Sequence, residues 1–154
     1  MIVGNYKKVQ GFTLIELLIT VTIIAVLASL AAPSFAAFIK QDRLTTSANH
    51  LSAVYKFARS EAVKRVETIT LTQDENSWLV QATRNDVVVT LKRFEPLHES
   101  IDVGLVERIV RSTGELNLAS NILVTDKDNS TTDLRLCILQ SGQSWVDKAV
   151  NNCA

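Results

Sequence analysis

The sequence contains few of the side chains that carry catalytic or metal-binding chemistry. Its two histidines, His50 and His98, lie far apart in the chain, and each is expected at the surface. No serine or aspartate lies in a recognisable nucleophile motif. No histidine stands near either of the two cysteines to complete a set of metal ligands. The sequence therefore predicts no catalytic residues, no metal site and no enzyme.

Glycine is also scarce, and the charges cancel. The five glycines are scattered along 154 residues, so no glycine-rich loop is available to bind phosphate. The 16 basic and 16 acidic side chains give a formal net charge of zero. Because nonspecific binding of nucleic acid needs clustered lysine and arginine, this balance argues against nucleic acid as a partner. No cofactor is predicted.

The most informative feature that is present is a long uncharged run near the start. Residues Phe12 to Ile39 carry one formal charge, that of Glu16. As a helix the run would extend about 42 Å, which exceeds the roughly 30 Å hydrocarbon core of a bilayer. An ordinary secretory signal has a shorter apolar region with small residues after it. Here the small residues lie inside the run, which predicts a membrane-spanning helix instead.

A glutamate inside such a run is costly. An ionisable side chain in a spanning helix costs roughly 2.5–3.5 kcal/mol at the bilayer centre and less near an interface. The presence of Glu16 therefore predicts a partner for its carboxylate. The alternative is that the side chain reaches the lipid headgroups and pairs with nothing.

The residues around this glutamate resemble a known processing site. Lys7 and Lys8 precede the segment Gly-Phe-Thr-Leu-Ile-Glu-Leu-Leu, which begins at Gly11. This pattern is similar to that of the type IV pilin family, which includes the pseudopilins of type II secretion. The resemblance implies that a prepilin peptidase cuts between Gly11 and Phe12 and methylates the new amine of Phe12. It also implies that Glu16 pairs with the N-terminal amine of a neighbouring subunit during filament assembly.

The resemblance implies a topology and a set of partners. The basic leader favours a cytoplasmic N-terminus, so a single span in the bacterial inner membrane would leave the rest of the chain in the periplasm, before entry into a pilus or pseudopilus. Cys137 and Cys153 would then lie in an oxidising compartment. A disulfide would close a loop of about 15 residues; the alternative is two unpaired thiols. Expected partners are other major and minor pilins or pseudopilins, the prepilin peptidase and the assembly platform.

The helical pattern continues beyond the apolar run. Small and apolar residues recur after Ile39 in steps of four and three, which is one stripe of a helix. We therefore expect one helix from Leu14 to Arg65, kinked at Pro33, because a proline removes an intrahelical hydrogen bond. The stripe consists of Leu44, Ala48, Leu51, Tyr55, Ala58 and Ala62.

The opposite face of this helix is basic. We expect it to be solvated, with contact to anionic lipid or to an acidic face of another pilin as the alternative. Its residues are Lys40, Arg43, Lys56, Arg59, Lys64 and Arg65.

Beyond Val66 the sequence favours strands. Alternating residues predict strands over 68–72, 78–82 and 87–94, a β-rich stretch over 101–110, and a hairpin of 122–125 with 134–139 across a polar loop at 126–133. The predicted class is α+β, with a long N-terminal helix packed against an antiparallel β-sheet head, as in the type IV pilin fold. The predicted segments are a leader (1–11), a membrane-spanning helix segment (12–39), an amphipathic periplasmic half of the helix (40–65) and a β-rich globular head (66–154).

The end of the helix indicates one branch of the type IV pilin family. The segment Ala-Arg-Ser-Glu-Ala-Val, which begins at Ala58 and leads into a strand, is similar to the GspH/FimT branch of the family. This implies a FimU-like minor pilin, a low-abundance subunit that helps to initiate, prime or cap a type IV pilus. The alternatives are a GspH-like minor pseudopilin of type II secretion and a FimT-like DNA-uptake pilin. The last is disfavoured, because Gln143 and Trp145 stand where its two arginines would follow Gly142.

Overall fold

A computed structural model describes residues 11–153. The expected leader lies outside this range except for Gly11. Helix α1 extends over Leu14–Arg65, which confirms the predicted helix at both ends. The chain forms two compact units, of which the first extends to Ala36 and the second, here called the globular unit, comprises Ala37–Ala154. The first unit contains the apolar part of α1; the globular unit contains the rest of the helix and all the strands described.

Eight strands form two antiparallel sheets of four strands each in the described part of the globular unit. The first sheet has the order β3-β2-β1-β5 and the second the order β4-β6-β7-β8. The strands are β1 (Ile69–Asp74), β2 (Ser77–Arg84), β3 (Val87–Phe94), β4 (Asp102–Val103), β5 (Arg108–Val110), β6 (Ser120–Thr125), β7 (Leu134–Ile138) and β8 (Ser144–Lys148).

The strands predicted over 87–94 and in the hairpin around residues 126–133 are confirmed, and β1 and β2 differ from prediction only at their ends. The predicted antiparallel β-sheet head consists of two sheets. The stretch 101–110 divides into β4, which pairs with β6, and β5, which pairs with β1. The intervening backbone bonds to the second sheet, where Gly104 N–H donates to Leu123 O at 2.9 Å. Strand β8 was not predicted, because four of its five residues are half-buried and show no in–out alternation.

The predicted stripe on α1 is buried and forms one side of the core. All six of its residues have no exposed surface, and Ser47, Ser52 and Val54 join them. The inner faces of both sheets pack in the same core cluster, with residues such as Leu71 from the first and Leu136 from the second. Trp78 is fully buried in this core, and its indole N–H donates to Val106 O at 2.9 Å. Trp78 is therefore a core residue, whereas Trp145 is half-buried.

Two glycine-containing turns pack against α1. The Tyr55 hydroxyl donates to Gly142 O, and Arg59 Nε donates to Gly114 O, both at 3.0 Å. Burial raises the pKa of Tyr55 to about 12. Gly142 has a φ of 85°, and a Cβ there would lie 2.1 Å from Gly114 O and 2.6 Å from Arg59 Nε. The close approach of the two turns therefore requires glycine at position 142.

The polar loop between β6 and β7 is attached to α1. Lys40 forms an ion pair with Asp128, which also accepts hydrogen bonds from the Ser130 N–H and hydroxyl at 2.8 and 2.7 Å. Gln41 donates to Thr132 O at 3.1 Å and accepts from Thr132 N–H at 2.7 Å. The hydrogen bonds from Lys40 and Ser130 hold the pKa of Asp128 well below its ordinary value of 3.8.

Replacement of Gly142 tests the turn junction. We expect Gly142→Ala to lower the free energy of unfolding by at least about 2 kcal/mol, because alanine is strained at positive φ and its Cβ overlaps a backbone oxygen. The measurement is urea unfolding of the full chain in detergent, followed by tryptophan fluorescence. Gly104→Ala is the matched control, since a Cβ there would meet its nearest atoms at 3.8 Å. Equal midpoints for the two variants would contradict this account.

Acidification tests the attachment of the loop. Because the pKa of Asp128 is lowered by folding, the ion pair stabilises the loop fully above pH 3.8 and loses this effect as the pH falls further. We expect the Thr132 amide to lose protection from hydrogen exchange below that pH, relative to its intrinsic rate. In Asp128→Asn the protection should already be low at neutral pH. Asp86→Asn, at an exposed turn, is the control and should behave like the unmodified chain; loss of protection in both variants would refute the assignment.

Candidate functional site

The N-terminus of α1 has a side-chain cap built from Thr13 and Glu16. Thr13 precedes the first helical residue, Leu14, and Glu16 is the third. Glu16 N–H donates to Thr13 Oγ1 at 3.3 Å, while the Thr13 N–H and hydroxyl both donate to Glu16 Oε2 at 3.0 Å. This reciprocal pattern is a capping box, which satisfies backbone donors that the first turn would leave unpaired. The glutamate also carries its negative charge at the positive end of the helix dipole.

The cap occupies only one oxygen of the Glu16 carboxylate. Both hydrogen bonds that the carboxylate accepts end on Oε2, and Oε1 accepts none from residues 11–153. A carboxylate oxygen can accept more than one hydrogen bond, so Oε1 can take a further donor without breaking the cap. The sequence predicted Glu16 as a site residue but missed Thr13. The pattern Thr-x-x-Glu before an apolar run is the sequence signal that could have identified it.

The residues before the cap are exposed and lie outside regular structure. Phe12 is 91% exposed, and a Cβ added at Gly11 would meet nothing within 4 Å. The fold around Gly11 therefore does not require glycine, in contrast to Gly142. Gly11, Phe12 and Glu16 lie together at the start of α1, whereas Pro33 lies farther along the same helix. Cys137 and Cys153 form a disulfide in the globular unit, with a Cα–Cα distance of 5.5 Å.

Residues 11–36 present an apolar surface on which three hydroxyl side chains bond to the helix itself. Every residue from Gly11 to Ala36 is exposed, and this part of α1 is long and apolar enough to cross a membrane. The hydroxyls of Thr20, Thr22 and Ser29 each donate to a carbonyl of the preceding turn, at 2.7–2.8 Å. Soluble monomers rarely expose a continuous apolar surface of this size, so it is suited to contact with lipid or with other apolar helices.

The predicted basic face is only partly solvated. Lys40 pairs with Asp128, Arg65 pairs with Glu61 at 2.6 Å, and Arg59 donates to a carbonyl. The other three basic residues, Arg43, Lys56 and Lys64, are exposed. Sequence spacing predicts that these residues share one face of the helix. It cannot predict the contact of Lys40 with the carboxylate of Asp128, because the two residues are 88 positions apart in the chain.

The two histidines have different surroundings. His50 is half-buried and packs against the Phe94 ring at a centroid distance of 5.2 Å, so the expected surface position is wrong for this residue. Sequence spacing could not reveal this, because Phe94 comes from β3. His98 is exposed, and its Nδ1 accepts the Ser100 N–H at 3.1 Å. Among the residues described, no three His, Cys, Asp or Glu side chains are grouped to hold a metal ion.

Comparison with known proteins connects these features to a family. Residues 6–32 match the family model of the prokaryotic N-terminal methylation motif. Residues 47–151 match the family model of the type II transport protein GspH. A fimbrial protein of Pseudomonas aeruginosa is 28% identical over 145 residues, which cover 94% of this chain and 77% of the relative.

Solved structures share the fold at low sequence identity. The type IV minor pilin FimU of Pseudomonas aeruginosa aligns with a TM-score of 0.62 at 15% identity, covering 74% of this chain and 95% of FimU. The minor pseudopilin EpsH of the Vibrio cholerae type 2 secretion system aligns with a TM-score of 0.58 at 13% identity, covering 71% and 99%. The chain thus has the type IV pilin fold, a long N-terminal helix packed against antiparallel β-structure, which is a fold of structural subunits.

The GspH match extends over most of the globular unit, and the methylation-motif match includes Gly11, Phe12 and Glu16. The predicted family and fold are confirmed. The chain belongs to the GspH family of type IV pilins and pseudopilins.

Proposed function

We propose that this protein is a minor subunit of a type IV pilus, present in few copies, that helps to initiate, prime or cap the filament. Its assembly contact is an ion pair between Glu16 and the N-terminal amine that processing creates on Phe12 of a neighbouring subunit. The observation that supports this most directly is the state of the carboxylate: it is oriented by Thr13, retains an acceptor at Oε1 and stands among exposed apolar side chains.

The energetics favour pairing between subunits. A lone carboxylate or ammonium among apolar helices carries a desolvation penalty of several kcal/mol, which a close partner of opposite charge offsets. A neighbour docked at the wrong axial offset would leave both charges unpaired, so the ion pair selects one register. Cleavage before Phe12 leaves the peptide bond to Thr13 intact, so the cap that orients Glu16 persists in the mature chain.

The proposal includes processing and topology. A prepilin peptidase cuts between Gly11 and Phe12 and methylates the new amine. The segment 12–39, bent at Pro33, crosses the inner membrane with its N-terminus in the cytoplasm, and the segments 40–65 and 66–154 lie in the periplasm. The disulfide supports this orientation, because disulfides persist in oxidising compartments. The partners are other pilins and the assembly platform, and the role is structural, without enzymatic activity.

A minor pseudopilin of type II secretion is the second candidate. The family description and the likeness to EpsH favour it. Deletion of the gene and complementation would distinguish the two roles, because a pilus subunit is needed for surface pili and a pseudopilin for export of secreted proteins. A FimT-like role in DNA uptake has less support, since Gln143 and Trp145 replace the two arginines.

Three variants separate the charge of Glu16 from its capping role. Glu16→Gln keeps an acceptor for the cap but removes the charge, Glu16→Ala removes both, and Thr13→Ala removes the capping side chain alone. An unpaired buried charge costs about 3–5 kcal/mol. We therefore expect both Glu16 variants to insert into the membrane normally but to enter filaments at least roughly tenfold less.

Thr13→Ala should retain most incorporation, because a lost cap costs only about 1 kcal/mol. The measurement is quantitative immunoblotting of sheared filaments against membrane fractions. Normal incorporation of Glu16→Gln would refute the ion pair as the assembly contact.

Replacement of Gly11 tests processing without disturbing the fold. Because a Cβ at Gly11 meets nothing within 4 Å, Gly11→Ser should leave the folded structure unchanged. We expect this variant to accumulate as the uncleaved chain, visible as a slower band on a gel and by N-terminal sequencing. Thr13→Ala, on the other side of the cut, is the control and should be cleaved. Normal cleavage of Gly11→Ser would contradict the predicted processing site.

A further inference from the structure

A basic groove lies on the flank of α1 beside the buried stripe. It is lined by Lys56, Arg59, Ser60, Val63 and Lys64 from the helix and by Ser144 from β8, and has a volume of about 530 Å³. The helical residues follow the i, i+3, i+4, i+7 and i+8 spacing that puts them on one face. The volume is in the range of pockets that hold a small ligand or several side chains of a partner.

The three cations of this groove have no acidic partner within the chain as described. Other basic residues of α1 do: Lys40 pairs with Asp128 and Arg65 pairs with Glu61. By contrast, none of the ion pairs found within residues 11–153 includes Lys56, Arg59 or Lys64. Like charges one or two helical turns apart repel one another. The groove therefore carries positive charge that is not paired with any carboxylate of residues 11–153.

The guanidinium of Arg59 is held in the groove by a backbone carbonyl. Its Nε donates to Gly114 O at 3.0 Å, and this contact holds the guanidinium in place. No hydrogen bond within the described residues uses its two terminal nitrogens, which suit the planar geometry of a carboxylate. Lys56 and Lys64 add exposed ammonium groups, and the half-exposed Val63 offers an apolar contact between them.

We propose that this groove binds an acidic segment of a neighbouring pilin-type subunit, with Asp or Glu carboxylates of that segment contacting Lys56, Arg59 and Lys64. The hydroxyls of Ser60 and Ser144 are further donors to the bound segment. This inference rests on the proposed role as a filament subunit, and it adds a contact in the globular unit to the one at Glu16.

Charge density favours an acidic peptide over nucleic acid. From position 56 to position 64 the helix rises about 12 Å. Duplex DNA carries one charge per about 1.7 Å, so three cations would meet roughly seven phosphates over that length. Residues 101–154, which contribute Ser144 to the groove, contain seven acidic and five basic side chains, so this part of the chain adds no net positive charge. A short segment with two or three carboxylates matches the groove in charge and in size.

Binding to the purified full chain in non-ionic detergent tests the groove directly. The probes are a short glutamate-rich peptide, the same peptide with glutamine in place of glutamate, and a DNA oligonucleotide. We expect the glutamate peptide alone to bind, and binding to weaken with salt. Lys56→Gln with Lys64→Gln should weaken it roughly tenfold. Arg43→Gln with Lys148→Gln removes two exposed cations outside the groove and should leave it unchanged.

Several outcomes would overturn the proposal: no binding of the glutamate peptide at low salt, equal binding of the glutamine peptide, or equal loss in the two double variants. Groove-dependent binding of DNA that is tighter than that of the glutamate peptide would assign the groove to nucleic acid instead.

A photoreactive residue at position Val63 identifies the occupant in assembled filaments. We expect the crosslinked peptide to come from another pilin-type subunit and to contain Asp or Glu. A crosslinked segment without carboxylates would refute the proposal. The two proposals fail separately, since peptide binding needs no filament. Incorporation of Glu16→Gln at normal levels would remove the ion pair at the helix start but leave the groove.

Discussion

Packing of a single helical stripe against two sheets is the constraint on which the globular unit depends. The stripe combines small residues, such as Ala48, Ala58 and Ala62, with the larger Leu51 and Tyr55, and all five are fully buried. Each large apolar side chain buried in this way contributes about 1.5–3 kcal/mol. Because the stripe is narrow, the sheets do not cover the flanks of the helix. The loop contacts and the basic groove both lie on these flanks.

The two parts of α1 differ in how their apolar side chains are covered. In the globular unit the apolar stripe is covered by the chain itself. Among residues 11–36 none is buried, and several polar groups bond locally: the hydroxyls of Thr20 and Thr22 donate to carbonyls of the preceding turn, and Glu16 bonds to Thr13. Among residues 11–36, Glu16 is the one charged side chain, and such local bonds do not neutralise its charge. In the function proposed above, a cation from another chain pairs with it, so the helix start takes part in assembly.

The cations of α1 follow a similar division between internal and external partners. Lys40 and Gln41 hold the loop between β6 and β7, so they belong to the fold. Lys56 and Lys64 have no such contact in the described structure and stand beside an arginine fixed by a backbone carbonyl. A basic residue that pairs within the fold contributes to stability, whereas an unpaired cluster of cations beside a groove can bind a partner. The distinction depends on which carboxylates the fold brings near, not on the number of basic residues.

Helical and strand periods are local patterns, so the sequence alone predicts the limits of α1, its buried stripe and most of the strands. The processing motif is local too, and on it rest the roles proposed for Gly11, Phe12 and Glu16. The structure was needed to show that residues 101–110 divide between two sheets and that Ser144 lines a groove together with Lys56. It was also needed to show that His50 packs on Phe94 and that Asp128 pairs with Lys40. Each of these contacts joins residues far apart in the chain, and their geometry follows from how the sheets pack on the helix, which no local pattern records.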